Sequence, residues 1–313
     1  MNNNTKSKTA LVLSGGGAKG AFQVGVLQVL KEEGYQFDVI SGISVGSLNG
    51  TMLATDQFDQ LVDIWQKLTP GQVFKEQSLF GLARRYLTYK IGLSRPPISK
   101  FDNAPLRELM EKHFLGRPVR TPFYFGFVKL ETGEYVRAIL PASGGYTVDA
   151  MDIKRILAST AIPAVFNPVQ IGDYQCVDGG LRDISPIREV LPHNPDRIVI
   201  IPTNPIGAVP EREEARDIIT IAFRALYIML DEIFQEDIER FLTINGLVQQ
   251  AEAQQAVLKR PNGIPYAYIE PLIIAPKEPL GSALNFDNAN VNALMEVGRK
   301  RAREVLGQEM EMV

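Results

Sequence analysis

The stretch ALVLSGGGAKGAFQVGVLQVL, residues 10–30, constrains the fold more than any other part of the chain. An apolar run that suits a buried strand leads into three consecutive glycines and then into a helix-like apolar segment. A second unit of the same kind follows, in which the strand-like FDVISGIS precedes a predicted helix over 45–54. This alternation is typical of an α/β protein with a largely parallel sheet.

The rest of the chain extends this pattern without a repeat or a linker. Two hairpins are predicted, one around Thr132-Gly133 and one through Gly172-Asp173. A buried strand is predicted at 196–202, a mainly helical region at 211–257 and a closing amphipathic helix at 291–308. We therefore predict a single domain with a helical C-terminal portion.

Charge and cysteine content exclude several functional classes. A formal net charge of -3 gives no reason to expect nucleic acid as a partner. The one cysteine, Cys176, excludes an internal disulfide framework, and two histidines are too few for a zinc cluster. The polar N-terminus has no signal-peptide pattern, and Arg224 interrupts the most apolar later window. The default expectation is a cytoplasmic protein without a transmembrane segment, and no feature indicates an oligomeric state.

The glycine-rich turn, Gly15 to Gly20, has the G-x-G-x-x-G spacing of a dinucleotide-binding loop. That function requires an acidic residue about 20 positions further on, at the carboxyl end of the second strand. Asp38 has the spacing, but it begins the strand and so belongs to the opposite edge. The turn also lacks the Lys-Ser or Lys-Thr pair of a phosphate-binding P-loop. A nucleotide-binding module stays open as an alternative hypothesis.

The second strand ends in Gly42-Ile43-Ser44-Val45-Gly46, a G-x-S-x-G motif between a strand and a helix. A nucleophile elbow has this form, because the serine occupies a strained turn and the glycines let neighbouring backbones pass closely. In a parallel unit both glycine-rich turns emerge at the same edge. We expect the amides of Gly15, Gly16, Gly17 and Val45 to form an oxyanion hole beside Ser44.

A nucleophilic serine needs a base, and neither histidine suits this role. His113 is predicted at the end of a surface helix, and His193 precedes a strand at the edge away from Ser44. Asp178 ends the run YQCVDGG, which predicts its carboxylate at the edge that carries Ser44. The alternative for Asp178-Gly179-Gly180 is an ordinary surface turn.

Taken together, these motifs resemble the patatin-like phospholipase family. The matching residues are Gly15-Gly16-Gly17-Ala18-Lys19-Gly20, Gly42-Ile43-Ser44-Val45-Gly46 and Asp178-Gly179-Gly180, with the blocks DNAPLRELMEKHF and ILASTAIPAVFNPVQIGDYQCVDGG. The resemblance implies a three-layer α/β/α fold around a largely parallel sheet. It also implies a catalytic core over 8–195 and a strand and helical portion over 196–313 that completes the same domain.

The resemblance further implies a serine lipid acyl hydrolase of the phospholipase A or lysophospholipase type, without a metal or other cofactor. Ser44 and Asp178 would form a catalytic dyad that works through an acyl-enzyme intermediate. Phospholipid or lysophospholipid would be the substrate, and Lys19 would either approach its phosphate or remain a solvated helix residue. The same dyad would serve an acyltransferase or a thioesterase, which stay open as alternatives.

The segment 78–101 differs from the rest of the chain. Five basic residues alternate with large apolar ones and no acidic residue occurs: Arg84, Arg85, Lys90, Arg95 and Lys100. Such a composition suits peripheral contact with an anionic lipid surface. The alternative is a solvated loop over the core.

Overall fold

The computed structural model describes residues 7–76, 90, 99, 101–207 and 218–311. Ten strands occur in these ranges: β1 Thr9–Leu13, β2 Val39–Gly42, β3 Lys75–Glu76, β4 Phe101–Asp102, β5 Phe123–Lys129, β6 Tyr135–Leu140, β7 Val169–Ile171, β8 Tyr174–Asp178, β9 Arg197–Ile201 and β10 Glu270–Ile273. Eight of them form one sheet, whereas β3 and β4 pair separately. The predicted hairpins are confirmed as the antiparallel pairs β5–β6 and β7–β8.

The α-helices in the described ranges alternate with these strands. They are α1 Gly20–Glu32, α2 Val45–Ala54, α3 Phe58–Lys67, α4 Pro70–Val73, α5 Ala104–Phe114, α6 Ala150–Ser159, α7 Ile187–Val190, α8 Ile218–Ala253 and α9 Asn288–Glu311. The closing helix begins three residues before its predicted start at 291. The helix predicted over 211–257 is described as α8, and its residues 211–217 lie outside the described ranges.

The sheet is parallel in its centre and antiparallel at one end. Its strand order is β10-β9-β1-β2-β5-β8-β7, and β6 pairs with the other side of β5. The first five strands of this order run parallel, while β6, β7 and β8 are antiparallel additions. From the C-terminal portion, β9 pairs with β1, and β10 pairs with the other side of β9 in the same sheet.

Helices cover both faces of the sheet, which confirms the predicted α/β class. Alternate residues of β1 point to opposite faces, so Leu11 and Leu13 join one core cluster while Ala10 and Val12 join another. The first cluster packs against α1, α3, α5, α6 and α9. The second packs against α7 and α8. Because both faces are buried, β1 and β9 read as continuous apolar runs rather than as alternating ones.

Candidate active site

The two glycine-rich turns meet at the carboxyl edge of the parallel strands. Leu13, the last residue of β1, is in register with Gly42, the last residue of β2. The amide of Ile43 donates to the carbonyl of Leu13 at 3.2 Å, which joins the two turns directly. The predicted juxtaposition of the Gly15–Gly17 turn and Ser44 follows from this parallel register.

Ser44 has the backbone strain expected of a nucleophile elbow. Its φ of 54° and ψ of -123° are uncommon for a residue with a side chain, and it caps the N-terminus of α2. A Cβ on Gly46 would collide with the carbonyl oxygen of Leu13, so only glycine allows the helix to pass β1 this closely. The turn keeps Ser44 buried yet places it on the walls of two cavities.

Backbone amides surround the serine, and one predicted donor needs correction. The amide of Gly15 donates to the carbonyl of Ile184 at 3.2 Å and is therefore occupied. The amides of Gly16, Gly17 and Val45 donate no hydrogen bond to any residue that the structure describes. Three of the four predicted donors thus have free N–H groups at the N-terminal ends of helices, where an anion is favoured.

Asp178 lies at the end of β8 with its carboxyl group buried. Oδ1 accepts a hydrogen bond from the amide of Gly180 at 2.8 Å. Oδ2 is buried and accepts no hydrogen bond from any of the described residues. Burial raises the pKa of Asp178 to about 7, against the opposing effects of the Ser44 hydroxyl and the Gly180 amide. The carboxyl faces Ser44 in a loose contact, as is common before substrate binds.

The histidines are engaged elsewhere. The ring of His193 contacts the Tyr124 hydroxyl at 2.9 Å, and the residue lies between α7 and β9, as predicted. His113 ends α5, but the expectation of a surface position is wrong, because its side chain is 9% exposed. Its Nδ1 contacts Nε2 of Gln60 at 2.9 Å. His113 is instead part of the wall of an apolar cavity.

Two cavities meet at Ser44. The first lies among α2, α3 and α5 and is lined almost wholly by apolar side chains. We call it the acyl cavity, and Leu48, Met52, Trp65, Leu106, Met110 and Phe286 are among its walls. The second is lined by the glycine turn, Asp178, Lys19 and Tyr227. Ser44 therefore stands between an apolar cavity and a mixed one, which we call the polar chamber after Lys19 and Asp178, although most of its lining is apolar.

Lys19 and two residues that the sequence did not single out shape the polar chamber. The Lys19 ammonium donates to Oδ1 of Asn204 at 3.0 Å, and Asn204 in turn donates to Asp231 at 2.9 Å. The hydroxyl of Thr203 donates to the carbonyl of Gly15 and so holds the glycine turn. Thr203 and Asn204 follow β9, whose carboxyl end lies at the same edge. Polar residues directly after DRIVIIP were the signal that would have identified them.

The acidic residue required for a nucleotide site is far from this edge. Asp38 immediately precedes β2 and accepts a hydrogen bond from the amide of Thr9, the first residue of β1, at 2.9 Å. Its carboxylate therefore stabilises the opposite edge of the sheet. This geometry disfavours the dinucleotide alternative for the glycine-rich turn.

Other expectations concern metals and membranes. Within the described ranges, no group of His, Cys, Asp or Glu side chains converges as a metal site would require. Of the helices that the structure describes, none combines the length and apolarity needed to cross a bilayer. The basic segment 78–101, predicted to contact lipid, lies outside the described residues except for Lys90, Ser99 and Phe101.

Comparison with known proteins identifies the family of this chain. A family model described as patatin-like phospholipase matches residues 11–191. An uncharacterized NTE family protein of Mycobacterium bovis is 24% identical over 66% of this chain and 52% of its own length. A lysophospholipase of Aspergillus terreus is 52% identical over 15% of this chain and 3% of its own. The chain thus spans about half or less of the length of these curated relatives.

A solved structure supports the fold. The crystal structure of VipD from Legionella pneumophila aligns with a TM-score of 0.52 at 14% identity, over 97% of this chain and 67% of that one. At this identity the likeness concerns the arrangement of strands and helices only. It agrees with the mostly parallel sheet covered by helices on both faces.

Proposed function

The chain belongs to the patatin-like phospholipase family, and from this premise we propose that it is a serine hydrolase that cleaves carboxylic ester bonds of lipids. The observation that carries the proposal is the position of Ser44. It occupies a strained turn between an apolar cavity and a buried carboxyl group whose pKa lies near neutrality. This arrangement suits a nucleophile that attacks a substrate with one apolar and one polar end.

In the proposed reaction, Oγ of Ser44 forms a bond to the acyl carbonyl carbon while Asp178 accepts its proton. The tetrahedral intermediate collapses, and the proton passes from Asp178 to the departing alcohol oxygen. Asp178 then takes a proton from water, whose oxygen attacks the acyl-enzyme. The fatty acid leaves and the Ser44 hydroxyl is restored. A carboxyl with a pKa of about 7 suits both proton transfers near neutral pH.

The negative charge on the carbonyl oxygen would be held by the amides of Gly16, Gly17 and Val45. These N–H groups have no other acceptor among the described residues, so they need no rearrangement before they bind the oxyanion. Each such donor contributes about 3 kcal/mol in comparable enzymes. We leave Gly15 out of this set because its amide is already bonded to Ile184.

The substrate class follows from the two cavities. The acyl cavity suits one hydrocarbon chain, since each buried methylene contributes about 0.8 kcal/mol. The polar chamber with Lys19 suits the headgroup side of the ester, where an ammonium group would attract a phosphate. We propose a phospholipid or lysophospholipid as substrate, in line with the lysophospholipase named among the relatives.

Active-site labelling tests the proposal. The full chain is treated with a long-chain alkyl fluorophosphonate, and its intact mass is measured. We expect one adduct on the wild-type protein and on Ser143→Ala, an exposed control, and none on Ser44→Ala. Hydrolysis of lysophosphatidylcholine should disappear in the same variant. Equal labelling of Ser44→Ala and wild type, or no labelling of either, would overturn the assignment of Ser44.

A further inference from the structure

A third cavity lies along the C-terminal half of α8. Its walls come from α7, from α8 between Asp237 and Val248, and from the segment 260–269. We call it the α8 cavity. None of its lining residues lines either of the two cavities that meet at Ser44. It is therefore a separate site on the same helix, whose N-terminal half contributes Leu226, Tyr227 and Leu230 to the polar chamber.

The α8 cavity carries an excess of positive charge. Three arginines line it, against one carboxyl group, that of Asp237. Arg188 pairs with Asp183 at 3.2 Å, but Arg240 and Arg260 form no ion pair with any residue that the structure describes. Nε of Arg260 is buried without a hydrogen-bond partner in the described part of the chain. An unpartnered buried donor is costly, which indicates that an acceptor belongs there.

The remaining walls are apolar. Leu191, Phe241, Ile244, Val248 and Ile269 line the interior, and the Arg260 guanidinium lies 5.1 Å from the centre of the Tyr266 ring. Burial raises the pKa of Asp237, whereas the Ser185 amide and Arg188 lower it. A ligand that suits these walls has an apolar body and an anionic end.

Hydrogen bonds fix the wall that carries Arg260. The side chain of Asn245, on α8, donates to the carbonyl of Ile269 at 2.7 Å and accepts from the amide of Ile269 at 2.9 Å. Across the turn, the amide of Arg260 donates to Ile264 at 2.8 Å, and that of Tyr266 donates to Leu258 at 2.9 Å. The segment is held against the helix, so the cavity is built before a ligand arrives.

We propose that the α8 cavity binds a long-chain fatty acid, with its carboxylate between Arg240 and Arg260 and its chain against Phe241 and Ile244. Guanidinium groups bind carboxylates through paired hydrogen bonds, and one negative charge suits a site that also holds Asp237. The site does not depend on Ser44, so this proposal stands independently of the proposed hydrolysis.

Photocrosslinking tests the site. The full chain is irradiated with dodecanoic acid that carries a diazirine at its chain end, then digested, and the labelled peptides are identified by mass spectrometry. We expect label in peptides covering 241–248 or 266–269, in wild type and equally in Ser44→Ala. Peptides labelled in the acyl cavity are distinguished from these by their sequence. Binding of the probe in the acyl cavity is followed separately by the fluorescence of Trp65, the one tryptophan, which lines that cavity.

Charge variants and a neutral probe complete the test. Arg240→Glu, at an exposed position without an ion pair to described residues, should lower labelling of the α8 cavity at least about tenfold. Arg120→Glu, an exposed control away from the cavity, should leave labelling unchanged. The corresponding dodecanol probe should label the α8 cavity weakly. Label confined to the acyl cavity, labelling retained in Arg240→Glu, or equal labelling by dodecanol would each overturn the proposal.

Discussion

Asp178 combines full burial with a contact to the nucleophile, and in the proposed mechanism its ionised form is the base. Since its pKa is raised to about 7, kcat/KM should increase with pH and level off above about pH 8. Asp178→Asn should lower kcat at least a hundredfold, because an amide accepts no proton. The measurement is a pH profile of lysophospholipid hydrolysis.

Asp183→Asn is the matched control for this profile. Asp183 is also buried with a pKa raised to about 7, but its carboxylate pairs with Arg188 and lines neither cavity at Ser44. We expect the rise near pH 7 to persist in Asp183→Asn. Loss of the rise in kcat/KM near pH 7 in Asp183→Asn would contradict the role of Asp178 as the base. Full activity of Asp178→Asn would contradict it as well.

Thr203 holds the glycine turn from the neighbouring strand, so it is a positioning residue in the proposed mechanism. Thr203→Val removes the hydroxyl that donates to the Gly15 carbonyl but keeps the shape of the side chain. The turn that presents the Gly16 and Gly17 amides should loosen, and kcat should fall about tenfold with little change in KM. Thr203→Ser should restore kcat. Unchanged kcat in the valine variant would show that the turn needs no such support.

At the scale of elements, the crossing of α1 and α9 depends on small residues. A Cβ on Gly25 of α1 would collide with the carbonyl oxygen of Met295, and one on Gly298 of α9 with that of Phe22. Gly25→Ala should therefore lower the free energy of unfolding by about 1–3 kcal/mol, as expected for overpacking. Chemical denaturation measures the change.

The same substitution at an open helical position should have the opposite sign. Gly246 lies inside α8, and nothing stands within 4 Å of the place where its Cβ would be. Gly246→Ala should raise the free energy of unfolding by about 0.5–1 kcal/mol, because alanine is the better helix former. If Gly25→Ala and Gly246→Ala both raised the free energy of unfolding by similar amounts, helix propensity and not the close crossing would explain the effect at Gly25.

The direction of β8 decides how Asp178 reaches Ser44. This strand is antiparallel to β5, so its carboxyl end points away from the edge where the parallel strands end. The strand β8 nevertheless ends beside Ser44. This is because β5 extends beyond the end of β2, and β8 begins at the far end of β5 and runs back towards Ser44. Asp178 is in register with Phe127, while β2 pairs only with the beginning of β5. The predicted location was right, but the strand arrives from the opposite direction.

For the whole molecule, buried carboxyls make stability depend on pH in an uncommon direction. Asp178 and Asp183 have pKa values near 7 in the folded chain against an ordinary value of 3.8. Between about pH 4 and 7 the folded state therefore binds more protons than the unfolded state, and stability falls as pH rises. Each group contributes up to about 1.4 kcal/mol per pH unit.

Melting temperatures across this interval check the prediction. Because of the carboxyl groups of Asp178 and Asp183, we expect the wild-type protein to have a lower melting temperature at pH 7 than at pH 5. Asp178→Asn should flatten the dependence and gain stability at pH 7, because its buried side chain no longer needs to be ionised. If the melting temperature of the wild-type protein rose between pH 5 and 7, and rose equally in Asp178→Asn, the prediction would be contradicted.

The α/β class, the hairpins and the two glycine-rich turns after β1 and β2 were predictable from the amino-acid sequence. These features depend on local patterns: apolar runs for buried strands, glycine at strand-to-helix turns, and Thr-Gly or Gly-Asp at hairpins. The resemblance to the family, and not a local pattern, indicated Ser44 and Asp178 as partners. The placement of Asp38 at the wrong edge was equally visible, because it begins its strand rather than ending it.

Three features depend on how the chain packs: which amides are free, the direction from which β8 brings Asp178 to Ser44, and the cavity beneath Ser44. The Gly15 amide is occupied by Ile184, far away in the chain, and the Gly15 carbonyl by Thr203. His113 faces the acyl cavity and its ring contacts Gln60 of α3, which its own helical pattern does not specify. Local patterns encode elements, whereas hydrogen-bond partners and cavities arise where residues distant in sequence pack together, and that packing sets the chemistry of the site.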